Sequence, residues 1–182
     1  MSRIAVVTGG MGGLGEAICV KLSAMDYRVV ATNSPGNTKV QQWLADMKNL
    51  GHEFHAVQVD VADFDSCAKA VKQIEAEVGP IDVLVNNAGI TRDMTFKKMG
   101  KADWDAVIRV HLKGHYSTIR PASQYFREQR NPDGNYRIIN FSSSSGLYGA
   151  PGQANYAAAK MGVIGLTYSV ARGLARYGVT AN

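Results

Sequence analysis

Residues 8–15 read Thr-Gly-Gly-Met-Gly-Gly-Leu-Gly, five glycines in eight positions, directly after the apolar run at 3–7. So few side chains build no core, so the stretch must be a turn whose backbone something approaches closely. Residues 14–25 that follow carry apolar side chains at helical spacing. A glycine turn between a strand and a helix N-terminus offers backbone N–H groups to a pyrophosphate, and the helix dipole favours the negative charge. In that reading Gly9 makes the turn, Gly13 permits the close approach and Gly15 packs helix on strand. From this stretch alone a purely structural turn remains the alternative. No Gly-Lys-Ser/Thr follows, so it is not a P-loop.

The rest of the chain repeats the alternation. Segments 3–9, 28–33, 53–61, 81–89 and 136–143 are rich in Val and Ile with little strict alternation, as strands buried on both faces are. Helical periodicity spans 14–25, 38–50, 66–78, 101–129 (with a possible interruption) and 154–177, and 130–136 reads as a surface turn. The pattern predicts an α/β fold: a doubly wound parallel sheet with helices on both faces. With 182 residues, 46% of them hydrophobic, and no repeat or linker, a single domain over 1–182 is expected.

Charge and cysteine content exclude several classes. The 20 Lys and Arg are scattered and the net charge is +5, so no nucleic-acid face is expected; the excess suits an anionic small ligand or solubility alone. Cys19 and Cys67 lack metal-type spacing, so no metal is expected, and their use fits a reducing, cytoplasmic setting. No signal peptide is apparent, and no run of 18 apolar residues predicts a membrane span.

Three motifs sharpen the reading. The glycine stretch fits T-G-x-x-x-G-x-G with Thr8, Gly9, Gly13 and Gly15 at the fixed positions; Asn86–Gly89 reads N-N-A-G; and Tyr156–Lys160 fits Y-x-x-x-K, with Ser143 thirteen residues before the tyrosine. In this order the chain resembles the short-chain dehydrogenase/reductase family along essentially its whole length. The resemblance implies a Rossmann-like sheet lacking the final strand or strands, because the chain stops at residue 182 where family members continue into a substrate-covering part.

Tyr156 and Lys160 lie four apart, hence on one helix face. A free phenol titrates near pH 10, and a neighbouring ammonium favours its phenolate, bringing such a group toward the working range. The resemblance makes Tyr156 the proton donor or acceptor at the substrate oxygen and gives Lys160 the tuning role and a cofactor-ribose contact. It makes Ser143 the residue that orients the carbonyl, with Ser142 its rival. Read singly, Tyr156 is an ordinary amphipathic-helix residue, Lys160 a solvated charge and the serine a cap. His111 stands where the family has a relay asparagine, and would either replace it or pack against the active-site helix. Gln153 is a candidate substrate contact.

For the cofactor, the end of the second strand carries no Asp or Glu over 31–39. Asn33, Ser34 and Lys39 suit the extra phosphate of NADP(H), with NAD(H) possible. By resemblance Thr8, Leu14, Asp60, Val61, Asn87, Ala88 and Gly89 complete the site, with Tyr156 and Lys160 at the nicotinamide. Segments 86–99 and 152–167 are similar to acetoacetyl-CoA and 3-oxoacyl-acyl-carrier-protein reductases, implying a small-molecule acyl-thioester substrate, with Arg92, Lys97 and Lys98 as charge for its phosphates. Two alternatives stand: a nucleotide-binding fragment without catalysis, and a broader alcohol, sugar or steroid dehydrogenase. A homodimer or homotetramer through the helices at 101–129 and 154–177 is the expected assembly.

Overall fold

Every residue of β1 (Ile4–Val7) is buried, as are all but the first of β2 (Arg28–Asn33). Strands covered on both faces need no alternation, which is why the sequence shows none. The computed structural model describes residues 2–128 and 134–182. With β3 (Phe54–Gln58), β4 (Ile81–Asn86), β5 (Tyr136–Asn140) and β6 (Val179–Ala181), the strands form one sheet of order β3-β2-β1-β4-β5-β6. All pairings are parallel. The predicted Rossmann-like α/β sheet is thus observed.

The helices are α1 (Gly13–Ser23), α2 (Val40–Asn49), α3 (Phe64–Glu77), α4 (Lys101–Ile108), α5 (Gly114–Glu128), α6 (Ser144–Tyr148) and α7 (Ala154–Leu174). One apolar layer centres on Ile74, Ala122, Phe126 and Ile138, with Phe126 stacked on Tyr136 at 4.5 Å. The other packs Cys19, Trp43, Met47 and Phe54 against the opposite face. Burial pushes both cysteine thiols up to about 12, so they serve as small apolar residues.

Several expected boundaries move. Asp63 accepts from the N–H groups of Asp65 and Ser66, starting α3 earlier than the apolar pattern did. β4 stops at Asn86, so Asn87–Gly89 form a loop, and β5 stops at Asn140 before the unexpected α6. Residue 129 of the predicted long helix and 130–133 of the predicted turn lie outside the described residues.

The glycine turn is tightly fitted. Gly9 adopts φ +62°, the left-handed region that favours glycine. A Cβ on Gly10 would lie 2.9 Å from Ala31 Cα and 3.1 Å from Cys19 Sγ. A Cβ on Gly15 would overlap Gly9 O and approach Gly10 Cα to 2.9 Å. Gly15 therefore packs α1 on the glycine turn itself rather than on a strand, which corrects the sequence expectation. A Cβ on Gly13 meets nothing within 4 Å. Gly10→Ala should lower unfolding stability by about 1–3 kcal/mol through overpacking. Gly13→Ala should leave it unchanged or slightly raised, as helix propensity favours alanine. Urea unfolding of both variants checks the contrast, and equal losses would refute it.

Between α4 and α5 the helix widens into a π turn at Arg109–Lys113, where Gly114 N donates to Arg109 O. The ring of His115 is buried and its Nδ1 contacts His111 O. Nε2 has no hydrogen-bond partner among the described residues. Burial pushes the His115 pKa down to about 4 from 6.5. The native state then holds this ring neutral while the unfolded chain protonates it below pH 6.5. Stability is complete above that value and falls progressively toward pH 4, by about 3 kcal/mol from this group. Urea unfolding between pH 4 and 7.5 should show that slope, and His115→Asn should flatten it; an unchanged slope in the variant would refute the assignment.

Candidate active site

The sheet order reverses between β1 and β4, and a cleft opens there at the carboxyl ends of the strands. Its two lips are tied together. Thr8 Oγ1 accepts from the N–H groups of Asn87 and Ala88, both at 3.0 Å, while Asn87 Nδ2 donates to Thr8 O at 3.0 Å and Gly9 O at 3.2 Å. The cleft holds about 520 Å³ and is lined by Gly9, Gly13, Leu14, Gly15, Asn33, Ser34, Asp60, Val61, Asn87, Ala88 and Gly89, all expected from sequence.

Two expected residues lie elsewhere. Thr8 is buried behind the turn as the fastener just described, and Lys39 is exposed at the start of α2 away from the lining. Met11 and Asn37 line the cleft without having been expected, and Asn37 Nδ2 donates to Met11 Sδ at 3.6 Å. Met11 lies within the glycine stretch itself, and Asn37 in the segment 31–39 that follows the second strand. Gly12, the N-cap of α1, supplies no side-chain cap, so the helix's first N–H groups are free of side-chain acceptors beside the cleft. A dinucleotide fits these residues: open glycine backbone, a helix N-terminus, and side chains that are neutral at the β2 end.

A second cleft of about 600 Å³ continues from the first, sharing Leu14, Asn87, Gly89 and Ile90, and is closed by Arg92, His111, Ser142, Tyr156 and Lys160. Lys97 and Lys98 do not line it. Lys160 is buried, donates from Nζ to Phe141 O at 2.6 Å and lies 5.5 Å from the Tyr156 ring centroid. Burial holds its ammonium below the usual lysine range.

His111 sits on the π turn with its ring edge-on to Tyr156, centroids 5.1 Å apart. Its Nε2 lies 2.7 Å from Ile90 O and 3.1 Å from Ile90 N. A neutral ring serves one of these at a time, and the shorter contact calls for an Nε2–H. Nδ1 then remains an acceptor, buried and without a partner among the described residues. Burial lowers the His111 pKa, keeping the ring neutral. Gly89 is required by this ring, since a Cβ there would stand 2.5 Å from His111 Cε1.

Of the two serine candidates, Ser142 lines the cleft and donates from Oγ to Lys160 O at 2.9 Å. Ser143 caps α6, its Oγ accepting from Ser145 N at 3.1 Å. Capping uses a lone pair and leaves the Ser143 O–H free to donate. The Gln153 amide is engaged at both ends, accepting from Ser145 Oγ at 2.9 Å and donating to Asp93 Oδ2 at 3.0 Å. Asn155, fully buried beside Tyr156, went unnoticed in the sequence because its neighbours are remote along the chain.

No helix of the described residues is long and apolar enough to cross a membrane. The model of the family described as short chain dehydrogenase matches residues 3–182. The chain is 49% identical over 181 residues to nodulation protein G of Azospirillum brasilense, covering 99% of this chain and 72% of that protein. It is 45% identical over 180 residues to an acetoacetyl-CoA reductase of Cupriavidus necator, with the same shares. A 3-oxoacyl-[acyl-carrier-protein] reductase of Staphylococcus aureus is 41% identical over 182 residues, covering all of this chain and 72% of that protein. The crystal structure of a short chain dehydrogenase from Mycobacterium avium superposes with a TM-score of 0.91 at 39% identity, covering 99% of this chain and 65% of that one. The chain thus spans just under two thirds of that structure. With its motifs, sheet order and clefts in agreement, the chain belongs to the short-chain dehydrogenase family.

Proposed function

We propose that the chain is an NADPH-dependent reductase of the 3-oxo group of acyl thioesters, with acetoacetyl-CoA as the model substrate. One observation carries the reading: the glycine-turn cleft runs directly into the cleft that holds Tyr156 and Lys160. The names of two relatives, acetoacetyl-CoA reductase and 3-oxoacyl-[acyl-carrier-protein] reductase, support the thioester. The glycine turn, Asp60, Val61 and Asn87–Gly89 would hold the dinucleotide. Asn33 and Ser34, with no carboxylate over 31–39, would accept the extra phosphate of NADPH in preference to NADH. When bound, the dinucleotide supplies the hydride.

The chain's own residues handle the oxygen. Tyr156 Oη gives its proton to the 3-oxo oxygen as negative charge develops there. Ser143, its lone pair engaged by Ser145 N, donates its O–H to the same oxygen and fixes its direction. Lys160 places a positive charge beside the phenol ring. His111 would take the place of the family's asparagine, packed edge-on against Tyr156 with its Nε2 held at Ile90 O. Arg92 at the cleft wall provides charge for a thioester phosphate, while Gln153, outside the cleft lining, is bound to Ser145 and Asp93 and supports the loop rather than the substrate. The face between α5 and α7, bordered by Tyr116, Ile119, Leu166, Val170, Leu174 and Tyr177, supports a homodimer or homotetramer through these helices.

Oxidation of NADPH by the 182-residue chain with acetoacetyl-CoA should exceed that of NADH. Tyr156→Phe should lower kcat by about 10²–10⁴-fold, and His111→Ala should lower it and alter its pH dependence. NADPH binding without turnover would instead identify a nucleotide-binding module, and full activity in Tyr156→Phe would eliminate the proposed acid. Sedimentation velocity should give a multiple of the 19.6 kDa chain; a monomer alone would dismiss the helix-mediated assembly.

A further inference from the structure

Asn155 has no solvent exposure, and its amide makes three hydrogen bonds. Its Nδ2 donates to Arg92 O at 3.0 Å and Asp103 O at 3.2 Å, and its Oδ1 accepts from Tyr156 N at 2.7 Å. Three segments meet at this side chain: the loop after β4 that walls the reactive cleft, the first turn of α4, and the first turn of α7. Only a carboxamide has two donors and an acceptor in this compact shape; aspartate lacks the donors and leucine both functions. The Tyr156 N–H belongs to the orphan donors of the first turn of α7, and Gln153 at the N-cap makes no side-chain cap. Asn155 therefore caps α7 from inside while anchoring that cap to the opposite wall.

A second fastening joins the same loop to the same helix start nearer the surface, where Met94 N donates to Gly152 O at 2.9 Å and Gln153 reaches Asp93. The surface fastening is open to water, whereas Asn155 is not, and an unmade bond there would leave its own buried amide unpaired. We infer that Asn155 is a positioning residue that holds the phenol of Tyr156 in register with the loop at Arg92, so that its loss lowers turnover without loosening nucleotide binding. The inference rests on the reductase reading for its kinetic part only.

The test uses Asn155→Ala, with Asn155→Ser as the milder change should alanine prevent folding. Amide hydrogen exchange should rise about tenfold or more in segments 91–94, 101–104 and 154–158 together, with the sheet unchanged. kcat for acetoacetyl-CoA should fall about ten- to a hundredfold. The NADPH dissociation constant, read by nucleotide fluorescence, should stay within about twofold. Faster exchange confined to α7, a general rise across the sheet, an unchanged kcat in an active background, or a parallel loss of NADPH affinity would each overturn the inference. If the unsubstituted chain lacks turnover, the reductase reading falls, and coupled exchange of the three segments still decides for or against Asn155 as the fastener.

Discussion

The reciprocal hydrogen bonds between Thr8 and Asn87 are the constraint on which the site depends. One side chain from the end of β1 and one from the end of β4 each bind the other's backbone. Parallel strands diverge at a point of reversed order, and without a tie the two lips would be free to separate or close. With the tie, the glycine turn is held on one side and Asn87–Gly89 on the other. The cleft inherits its width from this fastening, and the second cleft inherits its position because it shares Asn87 and Gly89.

From that tie the remaining packing follows by close approach. Gly10 and Gly15 are small because Ala31, Cys19 and the turn's own backbone occupy the space a Cβ would need. Gly89 is small because His111 stacks against it, and His111 reaches that place from a π turn rather than a regular helical one. An extra residue in one turn rotates the side chains that follow, which lets His111 face Ile90 while Thr118, a turn or two later, donates to Asn86 Oδ1 at 2.7 Å. Helix irregularity and β4 termination are thus joined at both Asn86 and Ile90.

The sequence was informative where the interaction is local. Val- and Ile-rich runs marked the first five strands, and the four-residue spacing of Tyr156 and Lys160 placed both on α7. It was less informative where a side chain answers to a distant partner. The π turn carries no Pro or paired Gly to announce it; its reason lies in the fit of His111 to Gly89 and Ile90, 21 or more residues away. Asn155 reads as one more polar residue beside a tyrosine until Arg92 and Asp103 are brought to it, 63 and 52 residues back. The serine run at 142–145 illustrates a third limit, since cap, cleft wall and helix start fall on adjacent identical residues that only the backbone distinguishes.

Ser142 and Ser143 differ in what their hydroxyls are bound to. Ser142 spends its only O–H on Lys160 O, fastening the strand end to the helix that carries the lysine. Phe141 does the same with its carbonyl, which receives the lysine's Nζ. Two consecutive residues thus fix Lys160 by its backbone and by its head group, and a buried ammonium tolerates this only because that carbonyl is present. Ser143 accepts from Ser145 N and keeps its O–H out of this support. Ser142 forms the cleft wall, whereas Ser143 stands at the N-cap of α6, so two adjacent identical residues are set to different tasks by the backbone alone.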